Sequence, residues 1–246
     1  MENINKKITE LVANNPEAAS VLHFLGIHYF NYTEQTLGEV CLQHGVEVEL
    51  VVRRLHEHAQ MKSQAQVNLE AYPVELIIEY LKHSHYVFIK QRLTYISSLL
   101  DHYQDSSVIV KDLKLIFPHF FKEFVEHVYD EEDTLFAYIL FLRKLQQSKH
   151  HPIDAQALTG IQQKVKGKTI VNFAEEHRQE DHEMNGLREL TNLYQHTNSG
   201  DLHARVILNA LKSFEGELKI HAKIENEILF PRALKLEQEV LTLTHS

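Results

Sequence analysis

The chain has 246 residues and a formal net charge of −9, a length that suits one large domain or a medium domain with a small one. An acidic chain carries no electrostatic footprint for phosphate backbones, which argues against a nucleic-acid partner, and no apolar run is long enough to span a bilayer. The opening Met1-Glu2-Asn3-Ile4-Asn5-Lys6-Lys7 lacks the apolar stretch of a signal peptide and the single cysteine, Cys41, rules out an intrachain disulfide, so the expected location is the cytoplasm.

Only eight glycines and five prolines interrupt long stretches rich in Leu, Ile, Glu, Lys and Gln, which predicts an all-α fold. Residues 1–58 read as a small helical domain. Ile8, Leu11 and Val12 form a first apolar face. Pro16 opens a second helix carrying Ala18, Ala19, Val21, Leu22 and Leu25, which ends near Gly26. A short helix over Thr36–Cys41 stops at His44-Gly45, and another follows over Glu47–His58 with Val48, Val51, Val52 and Leu55 on one face. The polar stretch 59–72 reads as a linker.

From residue 73 to 246 the pattern is four long helices, roughly Val74–His102, Ile109–Leu145, Gly160–Gln195 and Leu202–Lys235. Pro118 falls inside the second and is expected to kink or divide it. Four amphipathic helices joined by short connections predict an up-down four-helix bundle, the architecture in which metal sites are built from facing helices.

The chain contains 18 histidines and no tryptophan, and the placement of the histidines carries the chemistry. Glu123-Phe124-x-x-His127-x-x-x-Glu131-x-x-x-Leu135-Phe136 is matched 94 residues later by Glu217-Leu218-x-x-His221-x-x-x-Glu225-x-x-x-Leu229-Phe230. Residues four apart stack on one helix face, so each imidazole and carboxylate can converge on one ion. The flanking Phe and Leu residues turn the same face toward the core, where carboxylates are costly unless a cation compensates them. The other two helices offer His83 or His85, and His177 or His182; His85 and His182 are 97 residues apart, close to the period of the repeat. Glu123 and Glu217 read as solvated ion-pair partners, and His150-His151 as a solvated loop. Mixed imidazole and carboxylate donors suit iron, manganese or zinc. Two bridging carboxylates with several histidines favour a dinuclear redox metal over a closed structural zinc, and iron fits best.

The series His85 … His127-x-x-x-Glu131 … His182 … His221-x-x-x-Glu225 resembles the hemerythrin-like (HHE cation-binding) di-iron bundle. The stretch Glu225-Asn226-Glu227-Ile228-Leu229-Phe230-Pro231-Arg232-Ala233-Leu234 is similar to the C-terminus of the repair-of-iron-centres (RIC) family. The front domain is similar to that family's N-terminal domain through Leu11-Val12, Pro16, Ala18-Ala19, Val21-Leu22, Gly26-Ile27, Tyr29 and Gln35-Thr36-Leu37. The resemblance implies two iron ions, oxo- or hydroxo-bridged and carboxylate-bridged, held by His85, His127, Glu131, His182, His221 and Glu225. It implies nitric oxide or oxygen as ligand, iron–sulfur proteins as partners, repair of clusters damaged by nitrosative or oxidative stress, and a nitric oxide reductase-like activity; a homodimer is compatible with it. A non-catalytic protein that binds or senses oxygen, nitric oxide or iron is the alternative. One departure bears on this choice. Where the family usually carries adjacent cysteines after the residue matching Tyr29, this chain has Phe30 and Asn31, and Cys41 alone cannot form a thiol pair.

Overall fold

The structure is a computed structural model that describes residues 4–61, 68–104, 107–147, 167–180, 184–195 and 200–244. Among these the chain is all-α, a helical bundle whose one extended pairing is an isolated bridge between Lys7 and Thr36. It divides into two compact units: Met1–Val67 with Arg92–Ile116 and Leu187–Phe214, and Asn68–Gln91 with Phe117–Gly186 and Glu215–Ser246.

In the first unit, α1 (Ile8–Asn14), α2 (Ala18–Phe24), α3 (Leu37–His44) and α4 (Val48–Met61) follow the expected short helices. Ile8, Val12, Leu22, Leu37 and Val40 have no exposed surface. Thr36 starts α3 with a reciprocal cap. Its backbone N–H donates to Glu39 Oε2 at 2.8 Å, and its hydroxyl accepts from the Glu39 N–H at 3.3 Å. Gly45 ends the helix in the left-handed conformation at φ 64°, which a residue without a Cβ adopts at no steric cost. Thr36→Ala is expected to lower stability by about 1 kcal/mol in urea unfolding; an unchanged midpoint would show that the cap adds nothing. Tyr29–Asn31 forms a short 3₁₀ turn. Phe30 stacks on His102 at 4.7 Å and on His203 at 5.4 Å between ring centroids.

The second unit holds α5 (Val74–Val87), α8 (Ala137–Gln147), α9 (Ile170–Glu180) and α12 (Phe230–Thr244). Val74, Ile77, Ile78 and Leu81 line one side of α5 at helical spacing and are buried with Leu135, Phe136, Ile139, Leu229, Phe230 and Ala233 in one core. Arg143 on α8 donates to Glu75 on α5 at 2.9 Å. Glu237 is buried but satisfied: it accepts from the Tyr138 hydroxyl at 2.8 Å and from the backbone N–H of Ile170 at 3.2 Å, which anchors the start of α9.

Helices α6 (Thr94–His102), α7 (Val108–Glu131), α10 (Asn185–Leu190) and α11 (Leu202–Ile224) complete the chain. Pro118 neither divides nor ends α7, which runs on to Glu131. The long helices depart from regular geometry elsewhere. Phe88–Leu93, Glu132–Phe136 and Glu225–Leu229 are π-helical turns, lying between α5 and α6, α7 and α8, and α11 and α12. Such widened turns recur at functional sites; one begins at Glu225, one directly after Glu131, and one three residues after His85, all residues singled out from the sequence as metal ligands.

Candidate metal centre

Four of those residues converge in the second unit. His85, Glu131, His221 and Glu225 each offer a donor atom, all within 4.8 Å of one another. His85 is 3% exposed, Glu131 7%, His221 8% and Glu225 0%, so the cluster is shielded from water. His85 Nε2 lies 3.0 Å from His221 Nε2 and 3.4 Å from Glu131 Oε2, and His221 Nε2 lies 3.2 Å from Glu225 Oε1. Each residue is placed by its own helix: His85 by the buried stripe of α5, Glu131 by the last turn of α7, His221 by the last turn of α11, and Glu225 by the first position of a π turn.

The electrostatics of the cluster call for a cation. Burial pushes the Glu131 carboxyl up, and the nearby Glu225 carboxylate pushes it further, against the pull of His85. Burial pushes the His85 imidazole down, but Glu131, Glu132 and Glu225 outweigh it and the net direction is up. Glu131 Oε1 and His221 Nδ1 are buried without a hydrogen-bond partner, at a cost that ligation by Glu131 would relieve. Two imidazoles and two carboxylates are a donor set that fits iron, manganese or zinc.

Phe136 stacks parallel to His85 at 5.7 Å and Phe88 meets His221 edge-on at 5.4 Å. A cavity of about 250 Å³ reaches His221 between α5 and α11; Val87, Phe88, Ile220 and Ile224 line it together with Tyr80, His83, Ser84 and Glu217.

The remaining candidates are placed differently. His127 sits one turn before Glu131 on α7, half-buried and outside the set of four. His182 lies outside the described residues, as does the side chain of His177. His83 is exposed and packs on Tyr86. Glu123 is exposed and pairs with His119 at 3.1 Å, the solvated ion pair expected of it. The sequence reading missed Glu132, whose Oε1 lies 2.8 Å from His85 Nδ1. Its signal was hidden by the repeat itself, because the matching position 94 residues on is Asn226 and a comparison of the two halves discards residues that differ. Cys41 is free and buried, and burial pushes its thiol up, away from the reactive thiolate.

No protein-family model matches the chain. Over nearly its whole length the chain is similar to the iron–sulfur cluster repair protein ScdA of Staphylococcus haemolyticus (strain JCSC1435), with 18% identity over 227 residues that cover 91% of this chain and 95% of that protein.

Proposed function

We propose that the protein is a non-haem di-iron protein of the repair-of-iron-centres type, with a hemerythrin-like bundle, acting in the repair of iron–sulfur clusters damaged by nitrosative or oxidative stress. The observation that carries this reading is the buried convergence of His85, Glu131, His221 and Glu225. His127 and His182 would complete the proposed ligand set, with Glu131 and Glu225 supplying its carboxylate donors. The near-full-length similarity to a cluster repair protein supports the role. A di-iron centre held there would supply redox-active metal able to act on small ligands.

The chain's own residues contribute shape and polarity. Buried carboxylates balance the cationic charge and hold it where water is scarce. The cavity beside His221 is walled mainly by apolar side chains, which suits a small uncharged molecule such as nitric oxide or oxygen. Phe88 and Phe136 hold the two imidazoles against rotation.

Protein purified from iron-supplemented cells is expected to carry about two irons per chain, the stoichiometry of a dinuclear site. Metal-free protein, or a single zinc per chain, would sink the reading. The second reading, a non-catalytic binder or sensor, is supported by the packing of Phe30 between the His102 and His203 imidazoles, at a position where the resemblance implies a cysteine. Turnover of nitric oxide with a reductant supports the catalytic reading, and binding without turnover supports the sensor.

A further inference from the structure

His85 is gripped at both ring nitrogens by consecutive residues. Glu131 Oε2 approaches Nε2 at 3.4 Å, and Glu132 Oε1 approaches Nδ1 at 2.8 Å. Neighbouring residues on a regular helix point about 100° apart. Here the two carboxylates straddle one ring at the junction of α7 with the π turn that Glu132 opens. A carboxylate only accepts, so a hydrogen bond at 2.8 Å requires the proton on Nδ1. With the proton fixed on Nδ1, Nε2 is the nitrogen that faces His221, Glu131 and Glu225 and that a cation would take in place of a proton.

We propose that Glu132 is a positioning residue for the metal centre: it holds His85 in the Nδ1–H tautomer, aims Nε2 at the cation and, as an anion, makes that imidazole a stronger donor. The proposal rests on the reading of the four converged residues as a metal site. A carboxylate behind a ligating imidazole is a recurrent way to fix ring orientation and raise ligand basicity. Asn226 stands at the matching position of the repeat, and an amide cannot supply the charge. The two halves of the duplicated site are therefore unequal by one carboxylate.

The test has two readouts. The first uses metal-free protein labelled with ¹⁵N-histidine, at one fixed pH. His85 Nδ1 is expected to carry a proton in the wild type and in Glu132→Gln, whose side-chain oxygen still accepts, and to lose it in favour of Nε2 in Glu132→Leu. The second is anaerobic titration with ferrous iron against a competing chelator. Glu132→Gln, which keeps the hydrogen bond and loses the charge, is expected to weaken binding at least about 10-fold, and Glu132→Leu up to about 100-fold. Glu123→Gln, the same charge change at an exposed position of α7, is expected to leave affinity unchanged. A wild-type Nε2–H tautomer, or ferrous affinity in Glu132→Gln equal to that of the wild type, overturns the proposal. A merely structural Glu132 would lower the stability of Glu132→Leu and leave both readouts where they were, which also overturns it. Failure of the wild type to bind iron overturns the metal-site reading instead, and the tautomer measurement then decides the role of Glu132 by itself.

Discussion

Glu225→Ala is expected to abolish stable iron binding, with iron content falling from about two per chain to well below one, and Glu131→Ala to do the same. Each removes a carboxylate from the centre of the cluster. In the metal-free protein the same carboxylates act in the opposite sense. Burial, and then the charge of Glu225, raise the Glu131 carboxyl above its ordinary range. A carboxyl raised in the folded state binds protons more tightly there than in the unfolded chain. Its contribution is therefore most favourable at low pH and falls away as pH rises through the folded value, so above that value the carboxyl beside Glu225 no longer favours folding. Glu131→Gln and Glu225→Gln keep the shape and remove the charge. Both are expected to make the metal-free protein at least as stable as the wild type at neutral pH, while ferrous iron no longer raises the unfolding midpoint. Atomic absorption and urea unfolding, with and without iron, check both halves. Full iron occupancy in both alanine variants would show that other residues hold the metal.

The parts of this site that were legible in the sequence are those written as periodicity. His85 follows Leu81 by four residues and Ile78 by seven, and so belongs to the buried stripe of α5, whereas His83 lies two positions off it and is exposed. The spacing from His221 to Glu225 brings both to one place because α11 is regular up to Ile224. The same spacing on α7 did not bring His127 into the set of four with Glu131. Equal spacing in sequence fixes which helix face two residues share, but not how deeply each part of that face is buried. The π turns were invisible for a different reason. Each adds one residue to a turn, and the local cost is recovered by contacts from other helices, so no residue type within Glu132–Phe136 or Glu225–Leu229 announces it. Of the two outcomes expected at Pro118, division of the helix does not occur. A proline within a helix removes one backbone hydrogen bond, yet α7 continues through it with Phe117, Phe120 and Phe124 buried along the same side, and that packing outweighs the loss.

Phe136→Ala is expected to have the largest effect on stability, about 3–5 kcal/mol against a typical total of about 5–15 kcal/mol. The ring has no exposed surface and belongs to the core shared by α5, α8 and α12, so truncation leaves a cavity that rigid neighbours fill only in part. It also lies within 3° of parallel to His85, and its loss frees the imidazole to rotate away from Glu131. Two consequences follow and can be separated. Urea unfolding of the metal-free protein reports the packing loss, and a decrease under about 1 kcal/mol would contradict the burial argument. Ferrous affinity of the folded variant reports the orientation of His85. Phe136→Leu restores much of the volume without a flat face, so it is expected to recover most of the stability and less of the affinity. If both variants bind iron as the wild type does, the stacked ring supports only the core, and Glu131 and Glu132 alone suffice to hold the imidazole in place.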